Sequence, residues 1–170
     1  YVSLRARRIQ RMDAFIAQHG VEEKPGIRAL LALLKEKGIP GAITSSSPIE
    51  FIERHLSNAN LLHRFQKLCS GHAIPNGKPA PDIYLLGAKE LGLKPEECLA
   101  LEDSPTGILS AYRAGCLPVM IPDLDQPKEE TQKLLFAKAD SLSDIIDILK
   151  KDTLSMSFEV FPPKTDAAFA

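Results

Sequence analysis

At 170 residues, with 44% hydrophobic and 25% charged side chains and a formal net charge of −1, the chain has the length and apolar content of one domain with a sizeable core. It carries no basic excess for nucleic acid or an anionic membrane surface, and no apolar run approaches a transmembrane span. Tyr1 opens a polar, Arg-rich segment rather than a signal peptide, and because it is not Met the chain is expected to lack its natural beginning.

Residues 4–19 place Leu4, Ile9, Met12, Phe15 and Ile16 at roughly helical spacing among Arg5, Arg7, Arg8 and Arg11, and the pattern ends at Gly20. The arginines read as a solvated helix face, with contact to a phosphorylated ligand as the alternative. Pro25-Gly26 opens a second helix that buries Ile27, Leu30, Leu31, Leu33 and Leu34 and stops at Lys37-Gly38. Residues 39–44 form a short apolar strand, and Thr44-Ser-Ser-Ser-Pro48 leads into a helix from Ile49 to about Ser57. Hydroxyls and N–H groups at such a helix start suit either an anion or a plain N-cap. His55 and His63 are expected on the surface, and no His/Cys spacing suggests zinc.

A weaker strand over 66–71 enters His72-Ala-Ile-Pro-Asn-Gly-Lys-Pro-Ala-Pro-Asp82, a loop stiffened by three prolines that presents Lys78 as a point charge for phosphate or carboxylates, or as an ordinary surface lysine. From Pro81 a helix runs to Gly92 with Ile83, Tyr84, Leu86 and Leu91 on its apolar face. Leu99-Ala-Leu101 is a buried strand that ends in Glu102-Asp103, followed by a helix to Ala114-Gly115. A strand over 116–122, a helix over 127–137, a turn at Ala139-Asp140 and an amphipathic helix over 142–149 complete an alternation of helix and strand, the pattern of a parallel sheet with helical crossovers. Cys69, Cys98 and Cys116 lack a CxxC pair and lie in or beside apolar runs, which reads as reduced, buried thiols of a cytoplasmic protein.

Three polar tips follow strand-like runs: Ser45 with Ser46 beside it, Lys78, and Glu102-Asp103. In one parallel sheet all would emerge at the same carboxyl edge, where open α/β sheets bind ligands. Adjacent hard carboxylates suit Mg²⁺, which fills its remaining positions with water and phosphate oxygens. The alternative for Glu102-Asp103 is a surface acidic pair at a helix N-terminus.

On these residues, 1–149 resemble the C-terminal two-thirds of a haloacid dehalogenase (HAD) superfamily phosphatase of the β-phosphoglucomutase-like branch. Thr44-Ser-Ser-Ser-Pro48 resembles the family's second motif, Gly77-Lys-Pro-Ala-Pro-Asp-Ile-Tyr84 the third and Leu101-Glu-Asp-Ser-Pro-Thr-Gly107 the fourth. The resemblance implies phosphate binding by Ser45, Ser46 and Lys78, with Ser45 and Lys78 in catalytic positions, and Mg²⁺ coordination by Glu102 and Asp103. It further implies a three-layer α/β/α Rossmann-like core with a parallel sheet over 25–150, and a remnant of the helical cap over 1–24.

The family's first motif, Asp-x-Asp-Gly-Thr, supplies the nucleophilic aspartate on a central strand between those ending at Thr44 and Glu102, and no such motif precedes residue 24. The one Asp-x-Asp, Asp123-Leu-Asp125, runs into Gln126-Pro127 and is rejected as its replacement. His72-Ala73 also replaces an acidic residue often found in that loop. The core is therefore expected to lack its central strand and most of the cap, to leave two strands facing a vacant ladder, and to be unstable or inactive by itself.

Residues 151–170 form a tail of different character. Met156-Ser-Phe-Glu-Val-Phe-Pro-Pro-Lys-Thr resembles the opening strand of methylenetetrahydrofolate reductase, a flavin-dependent barrel in which a glutamate at the place of Glu159 acts as acid. The tail is expected to be poorly ordered. The leading expectation is Mg²⁺-dependent hydrolysis of a small phosphomonoester, such as a sugar phosphate, by a protein that is monomeric when complete. The alternatives are part of a folate-reductase fusion and a non-catalytic phosphate-binding remnant.

Overall fold

The computed structural model describes residues 4–123, 126–151 and 155–158. Their helices are α1 (Leu4–His19), α2 (Ile27–Lys37), α3 (Ile49–Asn58), α4 (Asp82–Leu91), α5 (Pro105–Ala114), α6 (Glu129–Gln132) and α7 (Leu142–Lys151). The strands are β1 (Gly41–Ser45), β2 (Lys67–Ser70), β3 (Cys98–Glu102), β4 (Leu117–Met120), β5 (Ala137–Lys138) and β6 (Ser155–Phe158). They form one parallel sheet in the order β2-β1-β6-β3-β4-β5.

Period-two alternation in the strands builds the three layers. Ile43, Leu99, Leu101 and Val119 pack with Leu30, Leu31 and Leu34 of α2, Ile52 and Leu56 of α3, and Leu142, Ile145 and Leu149 of α7. The intervening Cys98 and Ala100 join Cys69, Cys116, Ile83, Tyr84 and Ala88 of α4, and Ala111 and Ala114 of α5, on the opposite face. The three cysteines are free and buried, as their apolar surroundings in the sequence imply.

The centre of the sheet differs from the expectation of a vacant ladder. Ser155–Phe158 lies there, with Ser157 in register with both Ala42 and Ala100, and Phe158 with both Ile43 and Leu101. Buried strands on both sides present N–H and C=O groups that need partners, and a third parallel strand satisfies both rows. Four tail residues are thus strand. Residues 152–154 and 159–170, including Glu159, lie outside the described residues, as do Leu124 and Asp125.

Two further expectations are corrected. The helix over 127–137 shrinks to α6, because Phe136 N–H is drawn to the Pro118 carbonyl at 2.8 Å and delivers the chain into β5 instead. His55 is buried, not superficial: its ring stacks obliquely on Phe51 with centroids 3.8 Å apart, and its Nδ1 is 2.7 Å from the Phe51 carbonyl. On α1, Arg7 and Arg11 are exposed, while the side chains of Arg5 and Arg8 lie outside the described residues.

Candidate functional site

Ser45 is the last residue of β1, Glu102 the last of β3, and Asp103 follows it, so all three stand at the carboxyl edge of the sheet. Lys78 reaches the same edge from the loop between β2 and α4. Its side chain is 8% exposed and that of Glu102 is 0% exposed, and Lys78 Nζ donates to Glu102 Oε1. Burial pulls the Lys78 ammonium below the ordinary lysine value, while Glu102 and, more weakly, Asp103 act to raise it. Desolvation is the larger effect here. The opposing pull of Asp103 places its field on the same ammonium.

The alternative reading of Glu102-Asp103 as a surface helix cap does not survive this geometry. Both residues are buried, at 2% and 5% exposure. The cap of α5 is Ser104, whose Oγ accepts from Gly107 N–H at 3.1 Å, with Pro105 beginning the helix. Ser104 Oγ also donates to Glu102 Oε2 at 3.2 Å. Gly107 makes the arrangement possible, since a Cβ there would land on the Glu102 carboxylate. Glycine is required by this close approach, in a helix where it would otherwise cost stability.

The loop that presents Lys78 is held from α5. Ser110, fully buried, donates from Oγ to the Ala80 carbonyl at 2.5 Å, and Arg113 Nη1 donates to the Pro79 carbonyl at 3.1 Å. Ala80 N–H closes the turn onto the Gly77 carbonyl at 3.0 Å, and the Lys78-Pro79 peptide is cis.

Ser45 is buried and its Oγ accepts from Ser47 N–H at 3.2 Å. Ser46 is exposed, and its main chain lies so near Gly71 that a Cβ on Gly71 would come within 2.9 Å of the Ser46 Cα. Ser70 fastens this serine loop to β2 by donating from Oγ to the Ser47 carbonyl at 2.7 Å. The geometry therefore pairs Lys78 directly with Glu102, with Asp103 next in the chain, while Ser45 and Ser46 stand at the end of β1, on the far side of β6.

Tyr84 is the residue that sequence reasoning missed. Its ring packs in the apolar face of α4, as its spacing implies, but its hydroxyl donates to Glu102 Oε1 and lies 3.4 Å from Lys78 Nζ. The signal was present in the chemistry rather than the periodicity: a buried tyrosine carries a hydroxyl that needs a partner.

A cavity of about 110 Å³ opens beside the carboxylates. Among the described residues its wall includes Glu102, Asp103, Lys24, His55, Leu56 and Phe65, but neither Ser45 nor Lys78. Among the described residues no cluster of three or more His, Cys, Asp and Glu side chains forms a metal site, and no helix is long and apolar enough to cross a membrane.

Comparison with known proteins gives a concordant result. Residues 3–115 match the family model for hydrolases described as haloacid dehalogenase-like. Hexitol phosphatase B of Escherichia coli strain K12 is 32% identical over 130 residues, covering 76% of this chain and 57% of that protein. Hexitol phosphatase A of the same strain is 41% identical over 97 residues, covering 57% and 44%. Among solved structures, CbbY from Rhodobacter sphaeroides in complex with phosphate superposes with a TM-score of 0.73 at 28% identity, covering 83% of this chain and 63% of that one. β-Phosphoglucomutase from Clostridium difficile superposes with a TM-score of 0.65 at 25% identity, covering 75% and 55%. The chain spans about half the length of the curated relatives it matches. The family model ends at residue 115, short of the tail.

Proposed function

Because the chain belongs to the haloacid dehalogenase-like hydrolases, we propose that it carries the phosphate- and metal-binding part of a Mg²⁺-dependent hydrolase acting on small phosphomonoesters such as sugar phosphates. The observation that carries this reading is the buried Lys78–Glu102 pair at the carboxyl edge of the sheet, with Asp103 beside it. Two carboxylates and one ammonium leave a net negative charge of one at a buried edge of the sheet. That donor set fits a small hard cation, which prefers one or two carboxylates and takes its other oxygens from water and phosphate. Glu102 and Asp103 would hold the ion. The chemistry Mg²⁺ supplies when bound is neutralisation and orientation of phosphoryl oxygens.

In this reading Lys78 donates to a phosphoryl oxygen, and burial makes that contact count because little water screens it. Glu102 keeps the ammonium aimed. Ser45 offers its hydroxyl, and Ser46 its main-chain N–H, in the loop that leads into α3. Hexitol phosphatases A and B are named for phosphate removal, which favours hydrolysis over transfer within one substrate. The aspartate that would attack phosphorus is not among the proposed site residues, so this chain by itself binds without turning over.

The reading is tested by titrating inorganic phosphate into the protein with and without Mg²⁺. Mg²⁺-dependent binding that Lys78→Ala abolishes is expected; binding indifferent to both would defeat it. Steady turnover of p-nitrophenyl phosphate with Mg²⁺ would refute the proposed inactivity.

A further inference from the structure

The hydroxyl of Tyr84 joins parts of the site that the sheet keeps apart. Thr44 lies on β1 and Glu102 on β3, and these strands are separated by β6. Tyr84 comes from the first turn of α4, above that gap, and is only 1% exposed. Its hydroxyl donates to Glu102 Oε1, is hydrogen-bonded by Thr44, and stands 3.4 Å from Lys78 Nζ, an ammonium that also lies 5.1 Å from the centre of the Tyr84 ring. A buried hydroxyl costs free energy unless its bonds are made, and this one is bonded to two strands and a loop. Lys78 and Glu102 already satisfy each other, so the phenol is not needed for their charge balance. What it adds is a fixed distance to Thr44, on the strand whose next residue is Ser45.

We propose that Tyr84 is a positioning residue that braces the Lys78–Glu102 pair against the end of β1, and so holds the lysine and serine halves of the anion site in one geometry. The inference rests on the reading of Lys78 and Ser45 as phosphate contacts. The brace acts through Lys78 and Glu102 and touches no substrate itself. Phenylalanine at this position keeps the ring in the cluster with Ile83, Ala88 and Ala100 and leaves both charges of the ion pair in place, but removes the donor to Glu102 and severs the link to Thr44.

The test is Tyr84→Phe with two readouts. Affinity for inorganic phosphate in the presence of Mg²⁺ is expected to fall about fivefold, the effect of one hydrogen bond lost from a buried network. Amide exchange at Ala80, in the Lys78 loop, is expected to quicken by about the same factor while Val119 and Met120 of β4 exchange as before. A packing role would move β4 and the loop together. Unchanged exchange at Ala80, or equal acceleration in β4, would overturn the proposal. Should wild-type protein bind no phosphate, the functional reading falls while the exchange pattern still decides the brace. Thr44→Val, which removes only the donor to the phenol, is the second variant, and it should reproduce the local acceleration should Tyr84→Phe fail to fold; no acceleration there overturns the brace.

Discussion

Glu102 has no exposed side-chain surface, yet it accepts from a lysine, a tyrosine and a serine and lies against a glycine that cannot bear a side chain. Such a residue tolerates little change around it. Gly107→Ala should displace the carboxylate, cost roughly 2 kcal/mol as overpacking does, and weaken Mg²⁺-dependent phosphate binding; urea unfolding together with calorimetric titration measures both. Removing Lys78 strands a buried carboxylate. Lys78→Met alone should therefore destabilise by about 3–5 kcal/mol, and the double variant Lys78→Met with Glu102→Gln should recover part of that loss. Additive losses in this cycle would show that the two groups do not depend on each other. At this scale the sequence was legible where chemistry and position coincide: a carboxylate pair ending an apolar run announces a strand tip. It was not legible at Tyr84, because helical spacing classes a tyrosine by its ring and is silent on where its hydroxyl goes, nor at His55, whose burial depends on packing contributed from distant parts of the chain.

The helices α4 and α5 cover the face of the sheet that holds all three thiols, and burial sets how these titrate. Desolvation is the leading cause of each rise: Cys69 and Cys98 are pushed up to about 11 and Cys116 to about 12, from an ordinary value of 9.0. Folding therefore favours the protonated thiols, and their contribution is complete below pH 9. As pH rises from about 9 through 11 to 12 the unfolded chain releases protons first, so urea midpoints should fall across that window. Replacing the three cysteines with alanine should flatten that part of the profile, and an unchanged slope would assign it to other groups. α5 has a second duty, since Ser110 and Arg113 hold the Lys78 loop. Ser110→Ala leaves the Ala80 carbonyl without that donor and should cost about 1 kcal/mol, with faster exchange confined to residues 77–80. Helix limits were legible where glycines and prolines punctuate the chain, as at Gly38, Gly92 and Gly115, each a left-handed C-cap. The short α6 was not, because the pairing of β4 with β5 overrides the local helical pattern of Leu134 and Leu135.

Across the whole molecule, the decisive feature is β6 at the centre of the sheet. The parallel α/β character follows from the alternation of elements, but the strand order depends on which segments meet, and Ser155–Phe158 is remote in sequence from both neighbours. Periodicity marks these residues as strand-like and cannot say which ladder they join. A chain ending at Lys151 would leave β1 and β3 with facing rows of unpaired groups. It should lose several kcal/mol, at roughly 1 kcal/mol per buried ladder bond forgone, and bind an apolar dye such as ANS. Ser157→Pro, which removes an N–H from the middle of the strand, should act in the same direction in urea unfolding. Equal midpoints for all three chains would show that the sheet does not need this strand.

The position of β6 also dictates an order of events when residues 1–170 refold from urea. β1 with β2 and β3 with β4 can pair within their own stretches of sequence, as two ribbons without a common centre. The two halves become one sheet only when residues 155–158 dock between them. Until then the inner edges of both ribbons are open to other chains, and association between chains competes most strongly in that interval.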